Sequence, residues 1–120
     1  MTVDVFVSIE PDRIGAGDKR YHYELRAPKG TAAGNGAVYG TLHKATLEAV
    51  LKALSRFTQP AHIRIHVKDR YVAGVIGQLP EIAENRYRKK NGEEMALRNE
   101  LERLYRFAVY HRLEGVAWRN

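Results

Sequence analysis

Cysteine is absent from these 120 residues, so no disulfide framework, thiolate nucleophile or thiolate metal site is available. That absence is compatible with a reducing cytoplasm. No uninterrupted apolar stretch approaches the roughly 20 residues a membrane span needs, and the start at Met1 has no basic segment followed by an apolar run of signal-peptide length. The expectation is a soluble, cytoplasmic protein with no membrane partner. Acid is the scarcer charge, with 14 Asp and Glu against 20 Lys and Arg, and the formal charge of +6 favours an anionic partner through its long-range field. Phosphate-loop and dinucleotide fingerprints are missing too: Gly34-Asn35-Gly36 is too short and lacks the Lys-Ser/Thr that a phosphate loop needs. There is no Ser-His-Asp layout, internal repeat or low-complexity tract.

What is present reads as one domain over residues 1–120, with 44% hydrophobic residues, enough for a single core. Val3, Val5, Val7 and Ile9 alternate with Asp4, Phe6, Ser8 and Glu10, the pattern of a strand with one buried face that Pro11 ends. Tyr21, Tyr23 and Leu25 alternate with His22, Glu24 and Arg26 in a second strand, a hairpin partner for the first. The Gly-rich stretch from Gly30 to Tyr39 reads as a weak third strand or an irregular edge. Thr41 can cap a helix whose Leu47, Val50, Leu51 and Leu54 form one apolar stripe. His62 to Val67 alternates again as a strand. Short helical pieces are expected over Asp69–Ile76 and Pro80–Tyr87, a last helix over Met95–Ala108 and a final strand over Tyr110–Trp118.

The helix stripe at Ala45–Leu54, the strand His62–Val67 and the following Lys68-Asp69-Arg70-Tyr71-Val72 together resemble the core of ribonuclease H. The order of elements resembles that family along nearly the whole chain. The resemblance implies an α/β fold with a mixed five-stranded sheet in the order 3-2-1-4-5 and helices mainly on one face. It also implies an activity, cleavage of the RNA strand of RNA–DNA hybrids by carboxylates that hold two metal ions.

Two divalent cations only about 4 Å apart repel unless anions surround them, and Mg²⁺ takes hard oxygen ligands. The family supplies acids from the first strand, the first helix, the end of the next strand and a carboxy-terminal helix. This sequence carries Ser8, Thr46 and Lys68 at the first three positions, and the fourth has no counterpart before Asn120, as in a degenerate and truncated member. Nearby acids are Glu10, Glu48 and Asp69. Glu10 lies roughly 7 Å further along its strand than Ser8. Glu48 is turned about 200° from Thr46, toward an intrahelical pair with Lys52. Asp69 can cap the following helix. A shift of the alignment in all three segments at once would make Glu10, Glu48 and Asp69 a displaced acid set, and only then would Mg²⁺ be a cofactor; otherwise neither a cofactor nor a metal site is expected.

Arg86, Arg88, Lys89 and Lys90 crowd around Tyr87 with no acid among them. They fall where some ribonuclease H members carry a positively charged protrusion that grips the hybrid. Phosphate contact by the four cations, with Tyr87 as a stacking group, is one reading; a solvated helix end before the Asn91-Gly92 turn is the other. Lys68 would repel a metal ion and approach a phosphate. His62 and His66 are about 13 Å apart on a strand and cannot share one ion, while His43 and His111 show no partner in the sequence. The leading expectation is a pseudoenzyme that binds RNA, DNA or their hybrid. An active nuclease using the displaced acids, and a protein-interaction or homodimerisation domain using an open sheet face, are the alternatives.

Overall fold

A computed structural model describes residues 1–118. Its elements are β1 (Thr2–Glu10), β2 (Gly17–Ala27), β3 (Gly30–Gly40), α1 (Leu42–Leu54), β4 (His62–Val67), α2 (Arg70–Glu84), α3 (Arg98–Tyr110) and β5 (Arg112–Ala117). The five strands form one sheet in the order β3-β2-β1-β4-β5. β1 and β2, and β2 and β3, pair antiparallel, whereas β4 runs parallel to both β1 and β5. The mixed sheet expected from the resemblance is therefore the sheet that forms.

Alternation in β1, β2 and β4 decides which face is covered. Val3, Val5, Val7, Tyr21, Tyr23, Leu25, Ile63, Ile65 and Val67 are buried against the stripes of α1 and α2. Burying each such aliphatic side chain contributes about 1.5–3 kcal/mol, so this layer holds the fold together. Leu101 and Leu104 of α3 are fully buried in the same core. Among the described residues no helix covers the other face, where Asp4, Phe6, His22, Glu24, Arg26, His62, Arg64 and His66 lie. No described helix is long and apolar enough to cross a membrane.

Two helices depart from the sequence expectations, each for a local reason, and β3 takes the first of the two readings open to it. β3 is a regular eleven-residue strand, not an irregular edge. Its register sets Tyr21 opposite Gly36 and Tyr23 opposite Gly34, and the two rings lie across those glycines so closely that a Cβ there would come within 2.3–2.4 Å of ring atoms. The aromatic rings supply the packing that the glycines lack. The two short helical pieces are one helix, α2, because Pro80 falls on its exposed side and the stripe Val72, Val75, Ile76, Leu79 and Ile82 continues past it. The last helix begins at Arg98 after Leu97 takes a left-handed conformation (φ 63°), and it runs on to Tyr110, which delays the final strand to Arg112.

Candidate functional site

Ser8, Thr46 and Lys68, three residues far apart in the chain, meet at one cavity of about 300 Å³. β1 brings Ser8, α1 brings Thr46, and Lys68 follows directly on β4. Asp12, Ile14, Leu42 and Asp69 complete the lining. The Thr46 hydroxyl donates to the Leu42 carbonyl 2.8 Å away, a bond within its own helix. Asp69 is buried, and its carboxylate is already engaged. One oxygen accepts from the Tyr71 and Val72 backbone N–H groups, capping α2 at 3.0 and 3.3 Å, and the other meets His43 Nδ1 at 2.5 Å. His43, which the sequence left without a partner, thus finds one across 26 positions. Tyr71 tilts against the His43 ring at 4.5 Å, and burial, with the Asp69 charge second, pushes its phenol above the usual value.

This donor set does not fit a pair of hard divalent cations. Ser8, Thr46 and Lys68 bring two hydroxyls and an ammonium, Asp69 has both oxygens committed, and Asp12 adds one carboxylate, too few anions to surround two such ions. Among the described residues no three His, Asp or Glu side chains converge to hold a metal ion. The displaced acids are not brought together. Glu10 lines a separate, shallow depression of about 750 Å³ with Asp18, Lys19, Arg20 and Tyr39. Glu48 pairs with Arg103 of α3 at 3.1 Å, not with Lys52, so its carboxylate turns toward the outer helix.

The basic cluster forms an excursion between α2 and α3. Arg86 and Tyr87 both take left-handed backbone conformations (φ 57° and 60°), which end α2 abruptly and turn the chain outward. Two such non-glycine residues in succession cost on the order of 1–3 kcal/mol each and persist only where surrounding contacts hold them. Those contacts are present. The Tyr87 N–H donates to the Ile82 carbonyl, Met95 N–H donates to the Tyr87 carbonyl, and Lys89 N–H donates to the Glu93 carbonyl. Arg88 pairs with Glu94 across a short bridge, and its guanidinium donates to the Gly92 carbonyl at 2.9 Å. The stretch is a closed turn and not a helix end. Arg86, Arg88, Lys89 and Lys90 are all exposed along it.

Tyr87 is not exposed with them. Its ring packs against the core and lies beneath the Arg98 guanidinium at 5.7 Å, and burial raises its phenol pKa. The ring that the sequence suggested for stacking on a base is an anchor for the turn. Nothing in local spacing announces this, because Arg98 reaches it from the next helix.

Sequence reasoning also missed the order of the open sheet face. Phe6 stacks on His66 at 4.3 Å, lies under Arg26 at 4.6 Å and meets Trp118 edge-on at 5.5 Å. His66 bonds to Asp4 at 2.8 Å and His62 to Glu114 at 2.5 Å, so the two histidines engage separate acids. His111, also unpartnered in the sequence, accepts from the Ala61 N–H at 3.1 Å, and burial lowers its pKa.

Comparison of the fold with solved structures finds ribonuclease H domains. The RNase H domain of PFV superposes with a TM-score of 0.66 at 12% identity, over 96% of this chain and 77% of that one. LC11-RNase H1, solved with an RNA/DNA hybrid, gives 0.67 at 13% identity over 95% and 83%. A foamy viral protease-reverse transcriptase in complex with dsDNA gives 0.69 at 12% identity over 93% and 77%. No family model and no curated protein sequence matches the chain. At these identities the likeness concerns the fold, which is ribonuclease H-like.

Proposed function

We propose that this chain, a ribonuclease H-like fold, binds nucleic acid through an exposed basic excursion and does not cleave it. The observation that carries the reading is the meeting of Ser8, Thr46 and Lys68 in one cavity, with an ammonium where metal-dependent cleavage requires a carboxylate. Lys68 is a phosphate contact in place of a metal-mediated one. Arg86, Arg88, Lys89 and Lys90 supply further phosphate contacts, which fix position and not base identity. The overall charge of +6 steers an anionic strand toward both. Two of the similar structures hold an RNA/DNA hybrid and dsDNA, which supports a nucleic-acid partner for this chain.

The test is paired. Fluorescence-anisotropy titrations with single-stranded DNA, duplex DNA, RNA and hybrid are run from 50 to 300 mM salt, and a labelled hybrid is incubated with Mg²⁺ and with Mn²⁺. Binding that weakens steeply with salt, with no cleavage product, is expected. Metal-dependent cleavage abolished by Glu10→Ala, Glu48→Ala or Asp69→Ala overturns the non-catalytic part. Salt-independent or absent binding overturns the whole reading.

A further inference from the structure

Strand β3 is the outer strand of the sheet, bonded on one side to β2 along its entire length in unbroken register from Ala27↔Gly30 to Gly17↔Gly40. The turn at Pro28 and Lys29 closes on Ala27 and Gly30 as a hydrogen-bonded pair, which sets the parity of the ladder. Even-numbered residues of β3 direct their N–H and C=O groups toward β2. Thr31, Ala33, Asn35, Ala37 and Tyr39 direct theirs outward. Among the described residues no other strand pairs with them.

Natural sheets blunt such an edge with charge, proline, a bulge or short length. This one has eleven residues, Gly-Thr-Ala-Ala-Gly-Asn-Gly-Ala-Val-Tyr-Gly, with no charge, no proline and no interruption in its pairing. The neighbouring β2, by contrast, carries Asp18, Lys19, Arg20, Glu24 and Arg26.

We propose that the β3 edge pairs antiparallel with the same edge of a second copy, joining two sheets into one continuous sheet. The outward-facing set is symmetric about Asn35, so a two-fold axis there sets Thr31 opposite Tyr39, Ala33 opposite Ala37 and Asn35 opposite itself. Each outward N–H and C=O then meets an outward group of the copy. The large Tyr39 falls beside the small Thr31, and no like charges are opposed, although each chain carries +6. A strand of another protein would find no charge on this strand by which to be selected. An identical strand finds matched length and matched ends. Isologous pairing of this kind closes at two subunits and leaves no edge for a third at that site.

The absence of native cysteine makes the geometry directly testable. Across a hydrogen-bonded antiparallel pair the Cα atoms are about 5.5 Å apart, within disulfide range. Asn35→Cys in a glutathione redox buffer is expected to give a covalent dimer on non-reducing gels, whereas Thr31→Cys, whose counterpart is Tyr39, is not. Sedimentation velocity of the unmodified chain is expected to show a monomer–dimer equilibrium that strengthens with salt, as repulsion between two +6 chains is screened. Ala33→Lys with Ala37→Lys opposes like charges across the axis and is expected to give a folded monomer with unchanged circular dichroism. A chain that stays monomeric up to millimolar concentration, equal cross-linking at positions 31 and 35, or a double-lysine variant that still dimerises would each overturn the proposal.

Discussion

In the cavity at the end of β4, side chains are held rigidly. Thr46 bonds within its helix, and Asp69 is tied to the α2 backbone and to His43. In the excursion at residues 86–90 the backbone is held in a strained turn, while the four cationic side chains point into solvent with few partners of their own. The first region has the shape of a pocket, but of its two acids Asp69 is committed to the α2 backbone and to His43. The second has charge without a shaped pocket. Affinity and cleavage depend on different physical features, long-range charge for one and close-packed donors for the other, and the function we propose separates them.

The comparison breaks most severely if charge in the excursion proves irrelevant. Changing Arg86, Arg88, Lys89 and Lys90 to Glu together is expected to weaken nucleic-acid binding about a hundredfold at 50 mM salt and to flatten the salt slope by about four, read by anisotropy titration. Loss of the Asp69 cap comes next. Asp69→Ala is expected to lower stability by about 1–2 kcal/mol in urea titrations and leave affinity nearly unchanged, since its carboxylate supports α2. Lys68→Met is a smaller perturbation, a few-fold loss of affinity with a slope change of about one. If it equals the excursion variant, the cavity and not the excursion is the main grip.

A last, smallest effect serves as a control outside both regions. His111 has its pKa lowered from 6.5 by burial. The unfolded chain therefore takes up a proton at higher pH than the folded chain, so stability is fully present above about pH 6.5 and declines as pH falls below it. His111→Gln is expected to reduce that slope in thermal melts at pH 5 to 7 without altering the relative order of the binding variants.

Much of this was legible in the sequence where periodicity decides the outcome. Alternation in β1, β2 and β4 marks the buried face, and the α1 stripe marks its cover. The meeting of Ser8, Thr46 and Lys68 was legible through the ribonuclease H resemblance, which picks out one position within β1, one within α1 and one directly after β4. What depended on distant contacts was not legible. His43 with Asp69, Glu48 with Arg103, and Ala61 with His111 are separated by 26, 55 and 50 positions, and no local spacing encodes them. In the sequence β3 stands between a weak strand and an irregular edge, because its glycines signal irregularity until Tyr21 and Tyr23 are seen lying over them.

Trp118 is the sole tryptophan in the sequence, and it sits edge-on to Phe6 beside the Phe6–His66 stack. Excitation near 295 nm is therefore absorbed almost entirely at one spot on the uncovered side of the sheet. Any molecule that settles there changes the colour and intensity of that emission, while events at residues 86–90 or along the β3 edge do not reach it directly. The chain thus carries a built-in optical reporter for the one surface that no described helix shields.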